Sequence, residues 1–241
     1  MGMDEKIFER IEKKYLLDSE QYRQILKTLK EYMEKDDYYK SEVMNIYFDT
    51  KNYDLIIKSI ENPDFKEKLR ARSYGGYDKV FLEIKTKMLE GSTRVGHKRR
   101  ALVTRQEYAD FTTGQRKLAG LVTPRPHDIQ IAREVDYMVK HFKLEPKVLV
   151  YYNRESYMGD NKLRVTFDTD LRFREEDLRF EPKNTDKRCL RGKRDIIMEI
   201  KTHGAMPLWL VHTLSTARAF PERFSKIGKA YEIIKKGEHN V

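Results

Sequence analysis

The residues able to do chemistry in this chain stand on every second position of short, partly apolar segments. Arg10, Glu12 and Lys14 are spaced by two, as are Lys68, Arg70 and Arg72, and then Glu83, Lys85 and Lys87. Residues two apart in a strand share a face. Each set therefore projects to one side, while Ile11 and Tyr15, or Val80, Leu82 and Ile84, project to the other. The spacing continues with Lys98 and Arg100, Tyr152 and Arg154, Arg164, Thr166 and Asp168, and finally Glu199 and Lys201. A sheet with one wet face alternates in this way, but such faces usually set Lys against Glu across neighbouring strands. Here Lys and Arg crowd each other, and like charges in a low-dielectric interior repel unless an anion sits among them. The pattern reads as an anion-binding face. The interspersed Glu residues suit a divalent ion, because Mg2+ or Mn2+ takes carboxylate oxygen together with substrate phosphate oxygen.

Composition supports an anionic partner and narrows the setting. The 241 residues carry 49 Lys and Arg against 39 Asp and Glu, a net charge of +10 that draws in nucleic acid, phosphate chains or anionic membrane. The single cysteine, Cys189, cannot form an intramolecular disulfide, which fits a reducing compartment. No apolar run approaches the roughly 18 residues of a membrane span, and the start MGMDEKIFER is too charged for a secretory signal. A soluble, cytoplasmic protein is expected. Gly2 is not read as a myristoylation site, because Lys6 stands where that motif wants Ser or Thr. The six His residues show no ligand spacing, Trp209 reads as a packing residue, and Lys187–Arg194 reads as a solvated basic loop.

The elements that must position these side chains are legible in outline. No repeat, low-complexity tract or linker divides the sequence, so a single domain over 1–241 is expected. Ile7 to Leu16 reads as extended, with Asp18 or Ser19 capping a helix whose Tyr22, Ile25, Leu26 and Leu29 share a face. A strand is expected at Asn45 to Asp49, a helix from Tyr53 to Ile60 stopped by Asn62-Pro63, and a strand from Phe65 to Tyr74. Gly75-Gly76 turns this strand into Lys79–Met88, and a third strand follows near Thr93 to Val103. Thr104 caps one helix, and another spans His127 to Lys143 with Ile131, Val135, Met138 and Phe142 near one face. These helices should cover the outside of the sheet. Lys147 to Met158 and Lys162 to Thr169 read as a hairpin, followed by a strand at Asp195–Thr202, helix after Pro207, and a last helix opened by Ser225-Lys226 and running to Gly237.

Taken together, these segments resemble a known family. They are Arg10-Ile-Glu-Lys-Lys14-Tyr15, Asn45-Ile-Tyr-Phe-Asp49-Thr50, Lys68-Leu-Arg70-Ala-Arg72-Ser-Tyr74-Gly75 and Phe81-Leu-Glu83-Ile-Lys85. The series continues with Lys98-Arg-Arg100, Tyr152-Asn-Arg154, Arg164-Val-Thr-Phe-Asp168-Thr169, Met198-Glu199-Ile-Lys201 and Phe224-Ser225-Lys226. In this order they are similar to the polyphosphate polymerase domain of the vacuolar transporter chaperone complex, within the CYTH-like triphosphate tunnel metalloenzymes.

The resemblance implies an α+β fold: an antiparallel β-barrel forming a tunnel, helices packed outside and a C-terminal helix at the tunnel mouth. It implies transfer of the γ-phosphate of ATP to inorganic polyphosphate, with Mn2+ or Mg2+. Arg70, Arg72, Lys85 and Lys226 would be catalytic. Lys14, Lys98, Arg100, Tyr152, Arg154, Arg164 and Ser225 would contact phosphate or nucleotide. Glu199 would hold metal, with Glu12 and Glu83 as further carboxylates. One departure bears on the reaction. Hydrolytic tunnel enzymes open with Glu-x-Glu-x-Lys, whereas Arg10 takes the first of those positions here, which favours holding a phosphate chain over activating water. A triphosphatase of the same fold and a non-catalytic polyphosphate-binding module are the alternatives. Nucleic-acid binding is disfavoured, because the cations face inward. In the family that this chain resembles, the domain often sits beside membrane-spanning parts that export the polymer, so the resemblance implies that the chain either acts alone or relies on a separate membrane-protein partner.

Overall fold

The computed structural model describes residues 10–238, apart from 63, 91–92 and 191. The expected extension back to Ile7, the residues around Gly2 and Lys6, and the Pro63 stop lie outside the described residues. In chain order the elements are β1 (Arg10–Asp18), α1 (Ser19–Tyr32), β2 (Glu34–Asp49), α2 (Asp54–Glu61), β3 (Phe65–Tyr74), β4 (Val80–Glu90), β5 (Thr93–Val103) and α3 (Arg105–Thr112). They continue with α4 (Pro126–Phe142), β6 (Glu145–Met158), β7 (Arg164–Arg174), β8 (Lys187–Arg188), β9 (Arg194–His203), α5 (Leu208–Thr216) and α6 (Lys226–Glu238). The strands form one antiparallel sheet in the order β1-β9-β7-β6-β2-β3-β4-β5, with β8 beside β7. The expected α+β fold class is present. Among the described residues no pairing joins the two end strands, so the sheet is not closed by hydrogen bonds.

Two compact units divide the chain, each with its own core. The first comprises Met1–Ser41, Tyr152–Leu171 and Leu190–Ser225. Alternation builds its core: Tyr15 and Leu17 from β1, Val165 and Phe167 from β7, and Ile196, Met198 and Ile200 from β9 are buried together. Ile25 and Leu29 of α1 complete it on the same side as Leu210 and Leu214 of α5. Helix α1 starts where it does because Asp18 accepts from the backbone N–H of Glu20 and Gln21 at 2.9 and 2.8 Å. The Gln21 side chain returns a bond from the Asp18 N–H at 3.1 Å, a capping box of about 1 kcal/mol. Trp209 packs as expected, stacked on Tyr32 with ring centres 4.5 Å apart.

The second unit comprises Glu42–Tyr151, Arg172–Cys189 and Lys226–Val241. Strands β3, β4 and β5 form a three-stranded meander whose first turn uses Gly76 at φ +81°, a conformation that costs a side-chain-bearing residue dearly. Its apolar face, including Leu69, Ala71, Leu82, Ile84 and Ala101, buries against Ile131, Ala132, Val135 and Met138 of α4. Pro126 opens α4 at the position where a missing N–H is harmless. Phe142, expected on the packed face, is 39% exposed at the helix end. Thr104 caps α3 in a second capping box, with Glu107. Asp49 is fully buried and accepts from the N–H groups of Thr50, Leu55 and Ile56 at 2.8 to 2.9 Å, so it secures the start of α2. Tyr53 sits at φ 64° and ends the turn, which delays α2 by one residue from its expected start.

Two strands differ from expectation. β2 begins at Glu34 rather than Asn45, because its first half is charged and exposed and gives no hydrophobic alternation to read. Lys187–Arg188, expected as solvated loop, forms the two-residue β8 opposite Arg172 and Phe173.

Candidate phosphate-binding faces

Register sets the polar face of β3, β4 and β5. Lys68, Lys85 and Lys98 lie directly opposite one another across the three strands, followed by the row Arg70, Glu83 and Arg100, and then Arg72 and Phe81. β2 adds Tyr47 opposite Arg70 and Asn45 opposite Arg72. Glu83 is the centre: 1% exposed, it accepts from Arg70 Nε and Nη2 at 2.8 and 2.6 Å. Lys98 Nζ lies 3.4 Å from its other oxygen, and Arg72 Nε lies 3.7 Å from the oxygen that Arg70 holds while donating to Asn45 Oδ1 at 2.9 Å. Burial pushes the Glu83 carboxyl up, but Arg70, Arg72 and Lys98 outweigh it and bring the group down to about 2. Tyr47 accepts from Arg70 Nη1 at 3.4 Å. Burial raises its phenol too, yet Arg70, Lys68 and Arg72 draw it down to about 8. The Arg100 guanidinium lies 4.9 Å over the Phe81 ring. Beside β5 and the start of α4, a cavity of about 450 Å3 is lined by Lys98, Arg99, Arg100, Arg125, His127 and Asp128.

The first unit carries a comparable face. Lys14, Glu199 and Thr166 form one row across β1, β9 and β7, and Glu12, Lys201 and Arg164 form the next. Glu199 is 7% exposed and ion-paired with Lys201. Lys14 lies 3.5 Å from Glu12 and donates to the carbonyl of Phe224 at 3.1 Å. Arg154 donates to both oxygens of fully buried Asp168 at 2.6 and 2.7 Å and lies 5.3 Å over the Tyr152 ring. Burial works against the charge on Arg154, but Tyr152, Asp168 and Glu199 overcome it, so the proton is held more firmly than in an ordinary arginine. Arg164 pairs with Asp36 at 2.8 Å.

The structure thus brings Arg70, Arg72, Lys85, Lys98, Arg100 and Glu83 onto one face, and Lys14, Glu12, Tyr152, Arg154, Arg164 and Glu199 onto another. Ser225 is the last residue of the first unit and Lys226 the first of α6. Sequence reasoning missed Asn45, Tyr47, Asp168 and Asp36 as partners of these cations. Asn45 and Tyr47 are spaced by two, but an apolar, aromatic strand hid that period. Among the described residues no group of three His, Cys, Asp or Glu is placed to hold a metal. Glu199 and Glu12 do share a face of adjacent strands, which fits an ion held by one or two carboxylates with substrate oxygens and water completing its shell. Both Glu83 oxygens are already engaged by cations.

No helix among the described residues is long and apolar enough to cross a membrane. Cys189 is buried, and that burial pushes its thiol up to about 12.

Known proteins resemble this chain in sequence and in fold. Subunit 4 of the vacuolar transporter chaperone complex of Schizosaccharomyces pombe is 25% identical over 150 residues, a match covering 56% of this chain and 21% of that relative. The chain therefore corresponds to about a fifth of the relative's length. The Hippeastrum protein HpAC1, described as showing a dominant triphosphatase activity, shares the fold with a TM-score of 0.56 at 15% identity, over 95% of this chain and 96% of that one. The model of the VTC domain matches residues 9–235. With the match running through both units and every cationic strand, the chain belongs to the VTC domain family.

Proposed function

We propose that this protein, acting as a single domain, transfers the γ-phosphoryl group of ATP to an inorganic polyphosphate chain, with Mn2+ or Mg2+ present. The row of Lys68, Lys85 and Lys98 carries this reading. Like charges directly opposite across strands are destabilising, and a polyanion laid along them turns that cost into binding. Arg70, Arg72, Lys85 and Lys226 act on the transferred phosphate, and Lys14, Lys98, Arg100, Arg154, Arg164 and Ser225 hold the remaining phosphates. Lys226 would act from a helix N-terminus, where an anion is favoured. Tyr152 supports Arg154 from beneath.

Phosphoryl transfer passes through a loose transition state, so alignment and charge neutralisation supply most of the catalysis. Fixed cations meet that need without a protein nucleophile. The terminal oxygen of the polyphosphate attacks the γ-phosphorus in line and ADP leaves. Glu199, with Glu12 beside it, would hold the divalent ion, which when bound neutralises charge on the phosphate oxygens. Glu83 is better suited to orienting Arg70, Arg72 and Lys98 than to metal binding, since its acceptors are in use. The relative's membership of a complex supports a partner protein for this chain; a separate membrane protein that exports the polymer is part of the proposal.

Purified protein given ATP, Mn2+ and a polyphosphate primer should make an acid-labile polymer visible on a gel. Arg72→Ala should lower synthesis by about 10^2 to 10^3, as lost oxyanion donors do. Equal synthesis by both would remove Arg72 from the site. Free phosphate without polymer would make the protein a triphosphatase.

A further inference from the structure

Thr166 lies on the charged face of β7, two residues from Arg164 and from Asp168 and opposite Glu199. It is 2% exposed, and its Oγ1 is buried with no hydrogen-bond partner among the described residues. Arg164 Nε, two residues earlier on the same face, is likewise buried without a partner. Folded proteins leave very few buried donors unpaired, and each exception needs a reason. Packing supplies none here. The core side of β7 is filled by Val165 and Phe167, and a valine at 166 would satisfy the strand equally well without a hydroxyl. Neither nearby carboxylate takes this hydroxyl: Asp168 accepts from Arg154 through both oxygens, and Glu199, ion-paired with Lys201 through one oxygen, makes no hydrogen bond to Thr166 Oγ1. The hydroxyl is therefore a spare donor among Lys14, Arg154 and Arg164.

We infer that Thr166 contacts the phosphate ligand: Oγ1 donates to a non-bridging oxygen of a triphosphate or polyphosphate held by Arg154, Arg164 and Lys14, and Arg164 Nε donates to the same anion. This rests on the phosphate-binding reading of the face.

The test is calorimetric binding of inorganic tripolyphosphate to the full chain, once with EDTA and once with Mn2+. Thr166→Val should weaken binding about 10-fold in both buffers, the worth of one hydrogen bond to a charged group. Its melting temperature should stay level or rise, because an unsatisfied donor has gone. Thr166→Ser, which keeps the hydroxyl, should bind like wild type. Equal affinity of the valine variant overturns the inference while leaving the face a phosphate site. Loss confined to the Mn2+ buffer also overturns it, by assigning the hydroxyl to the metal. If the wild type does not bind tripolyphosphate in either buffer, the phosphate reading itself fails. Should the valine variant not fold, Thr166→Ala removes the same hydroxyl without adding volume and is judged by the same outcomes.

Discussion

Glu83→Gln removes one charge and almost no volume from the centre of the β3–β5 face. In the folded protein the carboxyl is brought from an ordinary 4.5 down to about 2, with Arg70, Arg72 and Lys98 overcoming the opposing effect of burial. At 1.36 kcal/mol per pH unit, that difference is worth about 3 kcal/mol of stability. The sign follows from the direction. A carboxylate whose folded value is depressed contributes fully above about pH 4.5, and the contribution fades as pH falls toward 2. Glu83 is 1% exposed, so solvent screening takes little from this figure. Urea unfolding at pH 7 should show the glutamine variant about 3 kcal/mol less stable, a midpoint shift of roughly 1 to 3 M. Repeating the titration at lower pH should close the gap, since the wild type loses this contribution and the variant has none to lose. A variant within about 0.5 kcal/mol of wild type at pH 7, the range of an inert surface change, would refute the account. So would a gap that persists unchanged at low pH.

Two further outcomes follow from the same charge chemistry. Asp168→Asn leaves the guanidinium of Arg154 in a buried site without its carboxylate. Losing one partner of a buried pair costs about 3 to 5 kcal/mol, so the melting temperature should fall by roughly 10 °C, and an unchanged melt would count against the pair. Tyrosinate absorbance should reveal one phenol titrating at about 8. Tyr47→Phe should abolish that step and Arg70→Gln should move it up toward ordinary tyrosine; a titration with no step below pH 9 would refute the assignment.

The cationic strands were legible because strand geometry forces a period of two and these residues keep it without interruption. Arg70 and Arg72, Glu83 and Lys85, and Lys98 and Arg100 needed only that period to be placed together on one side of their own strands, and the register then puts the three sets on a common face. Helix starts were legible for a local reason: Asp18 with Gln21, and Thr104 with Glu107, are three residues apart and close capping boxes without tertiary help. Pairings over long sequence distance were hidden. Asp36 meets Arg164 across 128 residues and Asn45 reaches the carbonyl of Val150 across 105, and nothing local to either residue announces its partner. The early half of β2 was hidden for a different reason. Its residues are exposed, and an exposed strand carries no hydrophobic period.

The carboxylates paired with these cations, Glu83 and Asp168 buried and Asp36 half-buried, explain how such faces are stable without a bound anion. Fixed cations in a poorly solvated site repel one another, and a protein that offered only cations there would weaken its own fold. Glu83 among Arg70, Arg72 and Lys98, Asp168 under Arg154, and Asp36 beside Arg164 each offset part of that repulsion. They also fix the direction in which each guanidinium points, which a flexible side chain would otherwise decide only on binding. The number matters as much as the placement. Glu83 offsets Arg70, Arg72 and Lys98 only in part, and Lys68, Lys85 and Arg100 share the same face, so the β3–β5 face stays positive and, on the proposed function, a phosphate chain would meet a surplus of charge rather than the whole of it. On the proposed reaction, that moderation has a use. A polymer that gains one phosphate per turnover must shift along its site each time, and binding a chain and its transition state with equal strength would not speed transfer. Carboxylates inside a cationic face keep the grip strong enough to align the phosphates and weak enough to let the chain advance.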